Sequence, residues 1–147
     1  MSLVSIRNGL VTTIQNYGKW TAAEISASDF GIMNTSASCV VLQPGAGTTI
    51  APISIGTHTI RSKTKTWSIT GMVFVKDPGN AKTMLGNLWT ACDDIYESVN
   101  SDDTLNGSCD AAMITAISRP SVDTFVTDGN IDWGYITFEV VAEEYDE

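Results

Sequence analysis

The sequence predicts an α+β fold: a largely antiparallel β-sheet with an N-terminal helix and a long middle helix packed on one face. Two segments repeat their apolar residues at helical spacing, and several others alternate at period two. Turn-forming residues separate the period-two segments at hairpin distances. The order helix, strands, helix, strands favours this class. A length of 147 residues fits one domain, residues 1–147.

The first helix is predicted from residue 3 to about residue 17. Ser2 suits its N-terminal cap, and Gly18 suits its end. Apolar residues at spacings of three and four lie between them: Leu3, Ile6, Leu10, Val11 and Ile14. Residues 20–37 are rich in Ala, Ser and Thr, and they are predicted to be a loop with a short helical turn near 22–25.

The next segments are predicted strands around a loop. Residues 39–42 form a short apolar run, and residues 43–56 are a Gly-rich predicted loop. The strand predicted over 57–76 has two apolar faces near its end. One face carries Trp67, Ile69, Val73 and Val75, and the other carries Met72 and Phe74. This end is therefore expected to be buried on both sides.

The middle helix is predicted over residues 80–99. Its apolar stripe comprises Met84, Leu85, Leu88, Cys92, Ile95 and Val99, flanked by Trp89 and Tyr96. The outer face is marked by Asp93, Asp94 and Glu97.

The rest of the chain is predicted to be β-structure around turns. A polar turn over 100–110 is followed by strands over 111–117, 123–127 and 131–142, with a tight turn over 128–130. The last residues, 143–147, contain four acidic residues and are expected to be an acidic tail.

The net charge of −9 is unevenly spread along the chain. Residues 1–91 carry seven basic and three acidic residues, whereas residues 92–147 carry one basic and 14 acidic residues. Such a chain lacks the cationic footprint that general nucleic-acid binding needs. The asymmetry predicts opposite surfaces, self-association, an acidic face that repels polyanions, or simply solubility.

No catalytic constellation is recognisable in the sequence, and the chain is expected not to be an enzyme. The only histidine, His58, has no Asp or Glu within ten residues, so it is interpreted as a strand residue. The stretch 102–110 resembles a calcium loop, but Met113 stands where the bidentate Glu belongs. We therefore expect a turn there, and neither a metal nor a cofactor.

The ends and cysteines favour an intracellular product. Residues 1–7 do not form a secretory signal, and the sequence has no run of 18 apolar residues. The three cysteines, Cys39, Cys92 and Cys109, are an odd number at wide spacing. They are expected to be reduced thiols.

The order of the elements resembles the tail terminator (tail completion) proteins of long-tailed bacteriophages. Three segments carry the resemblance: a helix over 85–96 (LGNLWTACDDIY), a turn over 102–107 (DDTLNG) and a last strand over 131–142 (IDWGYITFEVVA). The N-terminal helix and the strand over 67–75 (WSITGMVFV) extend it to about residues 1–145. Neighbouring neck or minor tail proteins share this plan.

The resemblance implies a structural virion protein of the tail or neck, assembled in the bacterial cytoplasm. Such proteins form a six-fold ring that caps the head-proximal end of the tail tube, stops tube polymerisation and docks the head connector. The implied partners are further copies of the chain, the tail tube protein and the head-connector or neck proteins. DNA would pass in transit without specific binding, and no membrane is involved.

A closed ring needs two complementary patches on each subunit. One face of the predicted strand carries the basic residues Arg61, Lys63 and Lys65. The middle helix carries the acidic residues Asp93, Asp94 and Glu97. These six residues are the predicted interface. The surplus negative charge is expected to line a lumen that does not retain DNA.

Two other classes stay open at this point. One is a small α+β ligand-binding domain or enzyme with a pocket near Trp67 or Trp133. The other is a soluble partner-binding module. The tryptophans fit either a core or an interface, and the sequence alone does not separate these.

Overall fold

The computed structural model describes residues 2–26, 38–44, 49–53, 62–76, 81–119, 121–128 and 131–146. The helices are α1 (Leu3–Tyr17) and α2 (Ala81–Asn100), with a 3₁₀ turn at Ala22–Glu24. The strands are β1 (Ile25–Ser26), β2 (Ser38–Pro44), β3 (Thr49–Ile53), β4 (Ser62–Lys76), β5 (Ala111–Ile117), β6 (Ser121–Asp128) and β7 (Ile131–Asp146). The α+β class with a largely antiparallel sheet is confirmed.

Two long strands, β4 and β7, form the centre of the sheet. They pair antiparallel from Lys63 opposite Asp146 to Lys76 opposite Trp133. On the outer side of β4, β2 and then β3 pair with successive parts of the strand. On the outer side of β7, β5 and β6 do the same. The sheet therefore consists of four long rows, and β1 adds a short parallel pairing to β2.

Both helices cover the same face of this sheet, as predicted. Alternate residues of the strands point toward them because side chains of a strand alternate between faces. The core contains Ile6, Leu10 and Ile14 of α1, Leu88 and Ile95 of α2, and Val73, Ile136, Phe138 and Val140 of the sheet. Each of these side chains is at most 1% exposed.

The other face of the sheet also buries apolar side chains near its β2 side. Cys39, Val41 and Phe74 form a second buried cluster, with Met72 and Tyr135 packed against it. The rings of Phe74 and Tyr135 have centroids 6.0 Å apart. The predicted burial of the end of β4 on both faces is confirmed.

Helix α1 begins and ends as its sequence predicts. The Ser2 hydroxyl accepts a hydrogen bond from the Ser5 amide at 3.2 Å, and the Ser5 hydroxyl accepts one from the Ser2 amide. Gly18 closes the helix in a left-handed conformation with φ 95°. The helical turn predicted near residues 22–25 is also present, as the 3₁₀ turn Ala22–Glu24.

Helix α1 runs in the opposite direction to α2. Gly9 of α1 lies against Leu105 and Ser108, in the turn that follows α2. Lys19, just beyond the end of α1, forms an ion pair with Asp94 in the middle of α2. The two contacts place the middle of α1 against the turn after α2, and the end of α1 beside α2.

Three sequence-based expectations were wrong. The predicted loop 43–56 contains the strand β3, which among the described strands pairs only with β4, and proline such as Pro52 is tolerated in edge strands. The expected acidic tail continues β7 as far as Asp146 because β4 is long enough to pair with it. Leu85, predicted to be core, is 40% exposed because it lies to one side of the face of α2 that packs on the core.

Candidate interaction surface

Three large apolar side chains of α2 lie together in solvent. Leu85 is 40% exposed, Trp89 65% and Tyr96 48%. With 3.6 residues per turn they project within about 40° of one another, so they form one row along the helix. We call these three residues the α2 stripe. Exposed aromatic clusters of this kind are typical of protein–protein contacts.

The acidic residues of α2 divide into two groups. Asp93 is exposed beside the α2 stripe, since it lies one turn from both Trp89 and Tyr96. Glu97 is also exposed, but it lies one turn from Asp94 and projects roughly 80–120° away from the stripe. Asp94 lies on the opposite side of the helix, with its carboxylate 3.5 Å from the Lys19 ammonium group. Of the three predicted acidic interface residues, the structure therefore brings Asp93 to the stripe, leaves Glu97 exposed away from it, and pairs Asp94 with Lys19 of the same chain.

The predicted basic patch lies at the far end of β4. Arg61 is outside the described residues, and Lys63 and Lys65 occupy strand positions directly opposite Asp146 and Glu144 of β7. The Lys65 ammonium group also lies 4.1 Å from the centre of the Trp67 ring. Cross-strand pairs of opposite charge stabilise a sheet. Lys65 thus has an acidic residue of its own chain at the opposite strand position, which spacing alone does not reveal.

The turn after α2 is organised by the Asp102 carboxylate. It accepts hydrogen bonds from the Thr104 hydroxyl at 2.7 Å, the Thr104 amide at 3.0 Å and the Asn106 amide at 2.8 Å. Leu105, Asn106 and Gly107 follow one another with positive φ. The predicted turn is confirmed. In the part of the chain that the structure describes, no three His, Cys, Asp or Glu side chains are grouped as metal ligands.

The Asp102 side chain makes part of the stability pH-dependent. The hydrogen bond from the Thr104 hydroxyl, followed by that from the Asn106 amide, holds the pKa of Asp102 below its usual range. A lowered carboxyl pKa stabilises the fold above the unfolded pKa of about 3.9, and this contribution is lost as pH falls through the folded value. We expect Asp102→Asn to lower the free energy of unfolding by about 1 kcal/mol at pH 7. The difference should shrink at pH 3.

Urea unfolding at the two pH values measures this effect. Asp103→Asn is the matched control, because Asp103 is exposed and the neighbouring carboxylate holds the turn. The control should stay within about 0.5 kcal/mol of the parent chain. An equal loss in both variants, or a loss for Asp102→Asn that does not depend on pH, contradicts the assignment.

The three cysteines are free, as predicted. Burial, with the Glu24 carboxylate nearby, raises the pKa of Cys39 to about 12. Burial together with Asp110, Asp102 and Asp103 raises the pKa of Cys109 to about 11. Burial also raises the pKa of Cys92. Each thiol is protonated near neutral pH, whereas a cysteine nucleophile reacts as its thiolate.

The described clefts are small. One of about 210 Å³ lies between the end of α1 and α2, beside Lys19, Ser38 and Asn87. Pockets that hold drug-sized ligands measure roughly 300–1,000 Å³. One alternative function was a ligand-binding domain with a pocket near Trp67, but the Trp67 side chain is buried at the end of the core. His58 and the Trp133 side chain lie outside what the structure describes.

Neither helix among the described residues has the length and apolar character needed to span a bilayer. A scan against protein-family models finds no match to the chain, and a search of curated proteins finds no significant match.

Proposed function

We propose that this protein is a structural component of a long-tailed bacteriophage virion, in the manner of a tail terminator. Copies of the chain form a six-membered ring that caps the head-proximal end of the tail tube. The ring stops polymerisation of the tube and offers a docking surface to the head connector. The protein acts by shape and surface, without catalysing a reaction.

The observation that carries this proposal is the α2 stripe. A Trp side chain that is 65% exposed and two further apolar side chains in the same row are costly in water. Together they present on the order of 300 Å² of surface, about the size of the largest patch on a typical monomer. Such a patch, with Asp93 beside it, favours a protein that functions in an assembly.

The open edge of the sheet supports the same proposal. β5 is the last strand of its side, and among the described strands only β7 pairs with it. Its sequence, AAMITAI, is apolar, and Met113 is largely exposed. An apolar edge strand readily pairs with another chain unless it is covered. In an assembled ring, a neighbouring molecule would cover this edge.

The proposal is tested by the particles that the purified chain forms. Native mass spectrometry and negative-stain electron microscopy should show closed rings of six 15.7 kDa chains, with an open centre. Open filaments, or a chain that stays monomeric up to about 1 mM, would contradict a ring-forming cap, because a ring closes only through two complementary patches.

The DNA passage is a separate part of the proposal. We expect the acidic surplus of residues 92–147 to face the lumen, where like charge prevents the ring from retaining DNA. A structure of the assembled ring measures this directly. If the acidic residues lie on the outer rim and the lumen is neutral or basic, the proposed role of the acidic residues in DNA passage is wrong. The proposed capping role would not be affected.

A further inference from the structure

Besides the α2 stripe, α1 carries a second exposed patch of opposite character. Val4 is 55% exposed, and Arg7, which is half-buried, lies one turn further along the helix. No acidic residue occurs in α1, whereas α2 carries Asp93 beside its stripe. We call Val4 and Arg7 the α1 flank. It combines an apolar side chain with a cation, whereas the α2 stripe is apolar and has the Asp93 carboxylate beside it.

The two patches lie on opposite sides of the helical layer. Gly9 faces the turn after α2, and Val4 and Arg7 project roughly 140–160° away from it around α1. Asp94 faces Lys19 on the α1 side, and the α2 stripe projects roughly 140–180° away from Asp94. One molecule therefore cannot bring its α1 flank to its own α2 stripe.

We propose that the α2 stripe of one molecule is covered by the α1 flank of a second copy of this chain. This inference rests on the proposed function and names the surfaces that build the ring. Val4 packs on the apolar row, and the Arg7 guanidinium lies against the Trp89 indole and the Asp93 carboxylate. Because the two patches differ, the contact is heterologous and leaves one free patch at each end of a pair.

The charge distribution favours a second copy over an unrelated partner. The strand residues Lys63 and Lys65 pair in register with Asp146 and Glu144 of β7 in the same chain. Among the described residues, Arg7 instead hydrogen-bonds only the neutral Asn8 side chain, through Nε at 3.3 Å and Nη2 at 3.0 Å. Arginine has five N–H donors, so further donors remain for a carboxylate.

The test uses sedimentation velocity of the full chain from about 1 µM to 1 mM. Trp89→Asp removes the α2 stripe, and Val4→Asp removes the α1 flank. Each is expected to weaken self-association about 30-fold or more, as hot-spot residues do. Thr90→Asp is the control, since Thr90 is exposed on the other side of the same helix and should associate like the parent chain.

Mixing the two variants tests the head-to-tail geometry. Val4→Asp keeps an intact stripe and Trp89→Asp keeps an intact flank, so an equimolar mixture should form one heterodimer and stop there. The two altered patches are both acidic and repel each other. A mixture that stays monomeric, while each variant alone is monomeric, overturns the heterologous contact.

The outcomes separate this inference from the proposed function. Trp89→Asp chains that form rings like the parent chain overturn the inference and leave the ring intact. Parent chains that associate through the stripe into open filaments support the inference and overturn the cap. A parent chain that is monomeric at every concentration overturns both.

Discussion

Replacing Gly9 by alanine is expected to lower the free energy of unfolding by about 2–3 kcal/mol, because it overpacks a rigid contact. A Cβ atom at this position would overlap the Leu105 carbonyl oxygen and the Ser108 hydroxyl. The Leu105 oxygen is backbone, and the Ser108 hydroxyl donates a hydrogen bond to it at 2.8 Å. The turn therefore has little freedom to move away from α1.

Gly86→Ala makes the matched comparison, since it is the same change in the other helix. No heavy atom lies within 4 Å of a Cβ placed there, and the position is exposed. Alanine should therefore raise the free energy of unfolding by about 0.5–1 kcal/mol, its intrinsic advantage in a helix. The two substitutions should differ in sign.

Urea unfolding of both variants at low protein concentration measures the two values without a contribution from self-association. If Gly9→Ala is as stable as the parent chain, α1 does not pack on the 101–110 turn as the structure has it. If both variants are destabilised alike, glycine is needed in these helices for a reason other than contact with the turn.

The helices were predictable because each has a local signature. Ser2 and Gly18 delimit α1, and the spacing of Leu88 and Ile95 places the buried face of α2. Which side of that face is covered depends on the neighbouring elements. Leu85 therefore appeared to belong to the core, although the sheet and α1 leave its side of the helix open.

The β-structure at the ends of the long strands β4 and β7 could not be predicted from the sequence, for a different reason. Residues 143–147 have the composition of a solvated tail, and only the register of residues 143–146 opposite 63–66 makes that part a strand. That register also places Lys65 opposite Glu144, so two charge groups that are 79 positions apart in sequence become neighbours. Long-range pairing of this kind leaves no local pattern.

The candidate site was only partly predictable for the same reason. Asp93 and Glu97 were identified from their place on the outer face of α2, and they do lie at the exposed surface. Asp94 follows Asp93 in sequence but points to the α1 side, where Lys19 meets it. The exposure of Trp89 was not predicted, because periodicity places an aromatic residue beside a core without showing whether anything covers it.

A second close contact to a glycine lies at the centre of the sheet, where Gly71 of β4 is opposite Phe138 of β7. The Phe138 ring covers Gly71, because a Cβ atom there would overlap the ring carbons Cζ and Cε1. The ring is 1% exposed and part of the main core, so it cannot swing into solvent. Gly71→Ala should cost about 1–3 kcal/mol, and Phe138→Ala about 3–5 kcal/mol.

A double-mutant cycle tests this pairing more sharply than either change alone. Once Phe138→Ala has removed the ring, the Gly71→Ala methyl group enters the vacated space. In that background Gly71→Ala should be neutral or stabilising by up to about 1 kcal/mol, so its sign changes and the coupling exceeds about 1 kcal/mol. Urea unfolding of the four proteins measures the cycle. Additive losses would show that the ring does not lie on Gly71, and the strand register of β4 and β7 at this point would need revision.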